Sequence, residues 1–315
     1  MATDPSVVAA VVASRRPRVA VSIVSYNTRD LLSACLTSLQ RTNGACLDVV
    51  VVDNGSMDGS PEMVESAFPD VRLIRSARNL GFAAANNLAL AHFDAPYIVL
   101  LNPDTEVFPA TLAEMGAYLD AHPDVGICGP RILYPDGTVQ SCGLRFPTLW
   151  SEVRESRFGG LLRAFVPEPG PLPARAGEVE ADWVDGACLM VRREVVNEIG
   201  SMDERYFLFA EELDWCFNAK RQGWRIVGLP AVTMVHHRGK STEQARTESL
   251  MHLVETRLEF YRKNRGALPA IGVALSYVTA AVLGLRRERA KSIAKLRAVR
   301  RWARQAVSGR TRMGA

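Results

Sequence analysis

The sequence predicts an α/β fold: a mainly parallel sheet flanked by helices, followed by a helical extension at the C-terminus. Three observations predict it. Short Val/Ile/Leu runs alternate with segments of helical spacing through the first hundred residues, as in βαβ units. Those runs are almost continuously apolar, so the sheet is covered on both faces. Beyond residue 245 the alternation stops and long helical patterns take over. With 315 residues, 48% of them hydrophobic, the chain can fill one large α/β domain and an appendage, and a disordered class is excluded.

Arg18 to Tyr26 reads as a buried strand. Thr28 to Gln40 follows with leucines at 31, 32, 36 and 39, a helical spacing. Leu47 to Val52 is a second strand, closed by Asp53-Asn54-Gly55-Ser56. Pro61 to Phe68 reads as a helix with Pro near its start. Val71 to Ile74 is a third strand, Phe82 to Phe93 an Ala-rich helix, and Tyr97 to Leu101 a fourth strand. Residues 146–182, rich in Pro, Gly and Arg, read as a flexible insertion. Regular structure is expected from Trp183 to about His237. Thr247 to Arg265 has the pattern of an amphipathic helix. Residues 266–285 carry no charge. The expected organisation is a loose leader at 1–16, a main domain at 17–245 and a helical, basic region at 246–315. The leader places its acidic residue before its apolar run and its arginines after, the reverse of a secretory signal.

The net charge of +4 conceals an asymmetry. Residues 286–315 hold eleven Lys or Arg and one acidic residue, a net of +10, which leaves −6 for the first 285. A mildly acidic body with a basic tail implies that the tail meets an anionic partner. No nucleic-acid recognition module accompanies it, so nucleic acid is not the expected partner. Six scattered cysteines without a C-x-x-C pair read as reduced core thiols in the cytoplasm.

In open α/β sheets, ligands sit beyond the carboxyl ends of the strands. Three such ends are polar here: Ser25-Tyr26-Asn27, Asp53-Asn54-Gly55-Ser56 and Asn102-Pro103-Asp104. The third sets a carboxylate on a corner stiffened by proline. Mg²⁺ or Mn²⁺ takes hard oxygen ligands, few of them from protein, with phosphate oxygens completing the shell.

The stretches VSIVSYNTRDLL, VVVVDNGSMDGS, RNLGFAAANN, VLLNPDTEV, WVDGACLMVRR, FAEELDWC and VHHRGKST, in that order, resemble the inverting family-2 glycosyltransferases of GT-A fold. Within them the chain is most similar to bacterial rhamnosyltransferases. The resemblance spans about residues 17–245. It implies that Asp53 hydrogen-bonds the pyrimidine base of a dTDP- or UDP-sugar donor, and that Tyr26 and Asn27 line the nucleotide pocket. It places Asn79, Gly81 and Asn86 near the nucleoside and Asp185 on the donor side. Asn102 and Asp104 take the place of the family's D-x-D metal motif, with Asn where the first acid usually stands. His236 matches a histidine that contacts the metal or diphosphate, in preference to His237. FAEELDW supplies the catalytic base. Glu212 stands where the family has Asp, and Glu211 is its rival. The bland reading of these acids is a helix start favoured by the dipole. Asn218 replaces a family Arg, with Lys220 or Arg221 as substitutes for its phosphate contact.

The implied reaction moves a sugar, with L-rhamnose the first choice, from the nucleoside diphosphate to a hydroxyl of a glycan or polyprenyl-diphosphate-linked acceptor. A divalent metal held by Asp104 and His236 offsets charge on the leaving diphosphate. The uncharged segment 266–285 meets the length of a spanning helix, about 20 residues, but is rich in Ala and Gly. The basic segment after it has interleaved apolar residues, as interfacial helices do. Peripheral attachment to the cytoplasmic face of the membrane is the expectation, against a helical hairpin packed on the main domain. Two rival activities remain open from sequence. A sugar-phosphate nucleotidyltransferase would open with a Gly-rich loop where this chain has SYNTRDLL, and a non-catalytic scaffold would keep the fold and lose the chemistry.

Overall fold

The structure is a computed structural model that describes residues 18–155, 172, 174–175, 177–237, 246–284 and 288–308. The expected leader, the middle of the 146–182 stretch, residues 238–245 of the histidine-bearing segment and the two ends of the basic tail lie outside them.

The first half follows the expected rhythm. Strand β1 (Arg18–Ser25) leads into helix α1 (Arg29–Gln40), β2 (Cys46–Asp53), α2 (Ser60–Ala67), β3 (Arg72–Arg75), α3 (Phe82–Leu90) and β4 (Tyr97–Leu101). These four strands are parallel, in the order β3-β2-β1-β4. The chain leaves β1 for one side of the sheet and later returns to its other side, so the β1 end is the crevice at which such sheets bind ligands. Register brings Ser25 beside Asp53 and Ile23 beside Leu101.

The second half is mixed. After β5 (Thr105–Val107) and α4 (Thr111–Ala121) come β6 (Val125–Leu133) and β7 (Val139–Ser141). Then follow α5 (Leu149–Glu155), β8 (Ala174–Arg175), β9 (Glu178–Ala181), β10 (Cys188–Arg192), α6 (Arg193–Ile199), α7 (Glu211–Arg221) and β11 (Arg225–His236). The sheet continues β4-β10-β6-β11-β9-β8. Strand β10 runs antiparallel to both its neighbours, and β11 is parallel to β6. An antiparallel β10 delivers its entrance, Asp185-Gly186-Ala187, to the edge where β4 exits. There the Asn102 N–H donates to the Ala187 carbonyl at 3.0 Å.

Two apolar layers sandwich the sheet. On one face Val19, Val21 and Ile23 pack on Leu32, Leu36 and Leu39 of α1 and on Leu112, Met115 and Leu119 of α4. On the other, Ala20, Val50 and Val52 meet Ala83, Ala85 and Ala89 of α3 and Trp215 and Ala219 of α7. The alanines of α3 let its backbone lie close to the strands. Cysteines 35, 128, 188 and 216 are buried in these layers, as expected of core thiols. Cys46 is exposed and Cys142 half-buried, so those two are not core residues.

The ends of the 146–182 stretch are ordered where the sequence reads looseness. Helix α5 and strands β8 and β9 occupy them, and β9 pairs with β11. Buried Glu152 on α5 accepts from Tyr277 Oη at 2.8 Å and pairs with Arg257 at 3.3 Å. Local composition carries no sign of these distant partners.

Three helices complete the described chain: α8 (Arg246–Arg265), α9 (Ala267–Gly284) and α10 (Arg289–Ser308). They pack on one another and on α7. Val254, Leu258, Phe260 and Tyr261 of α8, Ala270 and Val273 of α9, and Ala298 and Trp302 of α10 form a third core with Tyr206 and Leu213. Helix α9 is long and apolar enough to cross a membrane by length and composition. It buries small residues against its neighbours and exposes Leu268, Ile271, Leu275, Val282 and Leu283.

Candidate active site

A cavity of about 540 Å³ opens at the carboxyl edge of β1, β2 and β4. Tyr26, Asn79, Gly81, Asn102, Asp104, Asp185, Glu211, Glu212 and His236 all line it. Residues far apart along the chain thus converge.

On the donor side, Asp53 terminates β2 and is buried. Its Oδ2 accepts the N–H groups of Gly55 and Ser56, at 3.2 and 3.0 Å. Its Oδ1 is buried without a partner, an acceptor left over for a donor group such as a base N–H. Neighbouring Asn54 lines the cavity, holds Asn79 and accepts the Leu80 N–H. Tyr26 is exposed at the mouth, available to stack on a flat ring. Two expectations are corrected. Asn27, like Asp53, does not line the cavity; its backbone and side chain tie the β1 loop to Ser56 and Met57. Asn86 is fully buried, accepting from Ser22 Oγ at 2.6 Å and donating to the Phe82 carbonyl. It braces α3 against β1 and touches no ligand space.

At the centre, β5 pairs antiparallel with the end of β11, setting His236 opposite Thr105. Asp104 and His236, both buried, come to 3.2 Å between Oδ1 and Nε2. Gln140 Nε2 lies 3.1 Å from the other ring nitrogen, and Gln140 Oε1 is buried without a partner. His237 turns away to Glu106. Among the described residues no group of three or more His, Cys, Asp or Glu could cage a metal. One carboxylate and one imidazole nonetheless fit a Mg²⁺ or Mn²⁺ ion that draws its other ligands from phosphates.

The far wall is the start of α7. Phe209 and Ala210 precede it with φ of 71° and 68°. Successive left-handed non-glycine residues are strained by about 1–3 kcal/mol each and cluster at working sites. The Gly81 backbone fits against this loop. Phe82 N–H donates to the Phe207 carbonyl at 2.7 Å, and a Cβ on Gly81 would collide with that oxygen. The result is that Glu211 and Glu212 enter the cavity side by side, each with an unpartnered Oε2.

Their protonation separates them. Burial, then the charge of Asp185, pushes the Glu212 carboxyl up to about 7. Burial, then repulsion from Glu212, pushes Glu211 well above the ordinary carboxylate range. A helix start favours charged carboxylates by about 0.3–1 kcal/mol; burial outweighs that here, so a simple acidic helix start does not account for the pair. The third acid, Asp214, is structural. It accepts from Tyr206, Asn218, Lys263 and Asn264 and clasps α7 to α8. Lys220 is occupied by the Ala181 carbonyl and Asp182, and neither it nor Arg221 lines the cavity, so the expected substitutes for a phosphate-binding Arg stand elsewhere.

Arg257 and Leu253 of α8, with Gln140, Trp183 and Phe207, also line the cavity. Sequence reading missed them. The inner face of an amphipathic helix has the same pattern whether it meets a core or a cavity.

The family model for Glycosyl transferase family 2 matches residues 20–200. The chain belongs to that family. It is 29% identical over 238 residues to the N-acetylglucosaminyl-diphospho-decaprenol L-rhamnosyltransferase of Mycobacterium tuberculosis, covering 70% of this chain and 76% of that one. It is 25% identical over 225 residues to a dTDP-rhamnosyl transferase of Shigella flexneri, covering 68% and 67%. Among solved structures it is similar to the Pyrobaculum calidifontis mannosyltransferase in complex with GDP-Man and Mn²⁺. The TM-score is 0.57 and the identity 23%, over 94% of this chain and 80% of that one. The GT-A fold expected from the sequence is the fold observed, and the protein is a glycosyltransferase.

Proposed function

We propose that this family-2 glycosyltransferase transfers L-rhamnose from dTDP-rhamnose to a sugar hydroxyl of a polyprenyl-diphosphate-linked acceptor, inverting the anomeric centre. The observation that carries this reading is the convergence of Asp104, His236 and the Glu211–Glu212 pair around one cavity, with Asp53 next to Asn54, which lines it, and holding an unpartnered Oδ1. The sugar and the lipid-linked acceptor rest on the names of the two rhamnosyltransferase relatives.

Asp53 would hold the pyrimidine with its free Oδ1, and Tyr26 would stack on it. Asp104 and His236 would hold a Mg²⁺ or Mn²⁺ ion, which supplies positive charge to the departing diphosphate. Glu212 serves the opposite face. The acceptor oxygen bonds to the anomeric carbon as the bond from that carbon to the diphosphate oxygen breaks, and the hydroxyl proton passes to Glu212. A base with a pKa near 7 matches that task near neutral pH. Glu211 stays protonated beside it, which keeps a second negative charge from crowding Glu212. The exposed apolar strip of α9 and the basic face of α10 support peripheral attachment to the cytoplasmic face of a membrane.

A thermal-shift panel of UDP- and dTDP-sugars with and without Mn²⁺, followed by nucleoside diphosphate release, tests the reading. The expected outcome is metal-dependent stabilisation by dTDP-rhamnose and slow dTDP release. Stabilisation by no sugar nucleotide, or release unaffected by Asp104→Ala, overturns it.

A further inference from the structure

A second cavity, of about 600 Å³, lies between α8 and α10, outside the site described above. Arg297, Arg300, Arg301 and Arg304 line one wall. Spacings of three and four residues put all four on one face of α10. Arg301 lies 3.4 Å from Glu255. Among the described residues no carboxylate pairs with Arg297, Arg300 or Arg304. Glu248, exposed, is the acidic residue of the lining. Like charges at this spacing destabilise a helix, so the arrangement favours a polyanion that compensates them.

A second observation points the same way. His252 lines this cavity, is 9% exposed, and its buried Nδ1 has no partner. The same ring stacks on Phe207, with centroids 4.8 Å apart, and Phe207 lines the catalytic cavity. Helix α8 contributes to both spaces: His252 to the arginine cavity, Leu253 and Arg257 to the catalytic one. The stacked pair puts one ring in the lining of each cavity.

We propose that the arginine cavity is the subsite for the diphosphate of the lipid-linked acceptor. This rests on the acceptor class proposed above and deepens it. The acceptor sugar lies along the His252–Phe207 pair, its hydroxyl toward Glu212 and its diphosphate among Arg297, Arg300 and Arg304. Guanidinium groups present paired N–H donors that match phosphate oxygens. The exposed leucines and isoleucine of α9, the helix packed beside α10, offer an apolar surface along which the prenyl chain can leave.

The test uses the full chain and two acceptors carrying the same sugar, one as an alkyl glycoside and one on a short prenyl diphosphate. Wild type is expected to prefer the diphosphate acceptor in kcat/KM and to be inhibited by inorganic pyrophosphate competitively against it. In Arg300→Gln/Arg304→Gln that preference should collapse by about a hundredfold or more, the span of two lost charge-assisted contacts. Arg300→Lys/Arg304→Lys should retain an intermediate preference, which a folding defect would not produce. Direct binding of the prenyl diphosphate sugar, measured calorimetrically, should weaken in step. Unchanged binding and preference in the Gln variant overturn the assignment. So does loss of binding to phosphatidylglycerol vesicles with acceptor preference intact, which would make the cavity a headgroup contact. Wild type that binds the diphosphate acceptor through these arginines but turns over no sugar nucleotide supports the subsite and sinks the proposed reaction instead.

Discussion

The two walls of the catalytic cavity are built differently. The donor wall consists of strand ends in a covered parallel sheet, and backbone N–H groups hold its carboxylate, as Gly55 and Ser56 hold Asp53. The acceptor wall consists of helices. It is set by a strained turn at Phe209 and Ala210 and by long-range ion pairs such as Lys263–Asp214, and it leaves Glu211 and Glu212 each with an unpartnered oxygen. A strand end places a group by register alone. A helical wall needs tertiary contacts to do the same, which makes it more open to change.

The sharpest test of the contrast removes one group from each wall. Asp104→Ala should lower kcat by about 10²–10³-fold or more, as loss of a transition-state charge partner does, and should abolish any Mn²⁺-dependent thermal shift. Glu212→Gln should lower kcat by about 10²–10⁴-fold while leaving the donor's thermal shift in place. In wild type, turnover should rise as pH climbs through about 7, because only the ionised Glu212 carboxylate accepts a proton. Residual turnover in Glu212→Gln should be flat there. Loss of donor binding in this variant would break the division between walls.

Smaller effects probe how the walls meet. Gly81→Ala forces a side chain onto a backbone with φ of 85° and against the Phe207 carbonyl. It should destabilise by about 1–3 kcal/mol in chemical denaturation and lower kcat by displacing the Glu-bearing turn. Asn86→Ala should destabilise by about 1–3 kcal/mol, through the stranded Ser22 hydroxyl, yet leave the donor KM alone. A raised donor KM would return Asn86 to the donor site. Weakest of all is a pH effect. Burial raises the Glu255 carboxyl to about 7, and Arg301 opposes this only in part. A raised carboxyl stabilises the fold fully below its unfolded value and loses that contribution as pH rises through 7. From about pH 5 to about pH 8 the Tm of wild type should therefore fall relative to Glu255→Gln, by about 2–4 °C.

How much was legible in the sequence follows the same division. Strand runs ending in Asp53 and in Asn102-Pro103-Asp104 announce themselves, since a buried strand gains nothing in packing from a carboxylate at its exit. His236 was legible only through its motif, because pairing of β11 with β5 is not written in either segment. Asn86 was misread because a polar residue inside a motif looks like a ligand contact, whereas its partner is a serine hydroxyl sixty-four positions earlier. Arg257 and His252 were invisible, lying on a helix whose pattern does not reveal what its inner face meets. The stretch around Glu152 read as loose because its composition is Pro- and Gly-rich and its stabilising partners lie on α8 and α9.

The Asp214 clasp has a practical corollary for anyone trimming the gene. A shortened chain ending before α8 would strip Lys263 and Asn264 from a carboxylate that is 2% exposed. The remnant would leave that carboxylate to Tyr206 and Asn218 alone, two residues along the helix from the proposed proton acceptor Glu212. Expression of the N-terminal portion alone should thus give a weakened and chemically altered protein rather than a smaller enzyme.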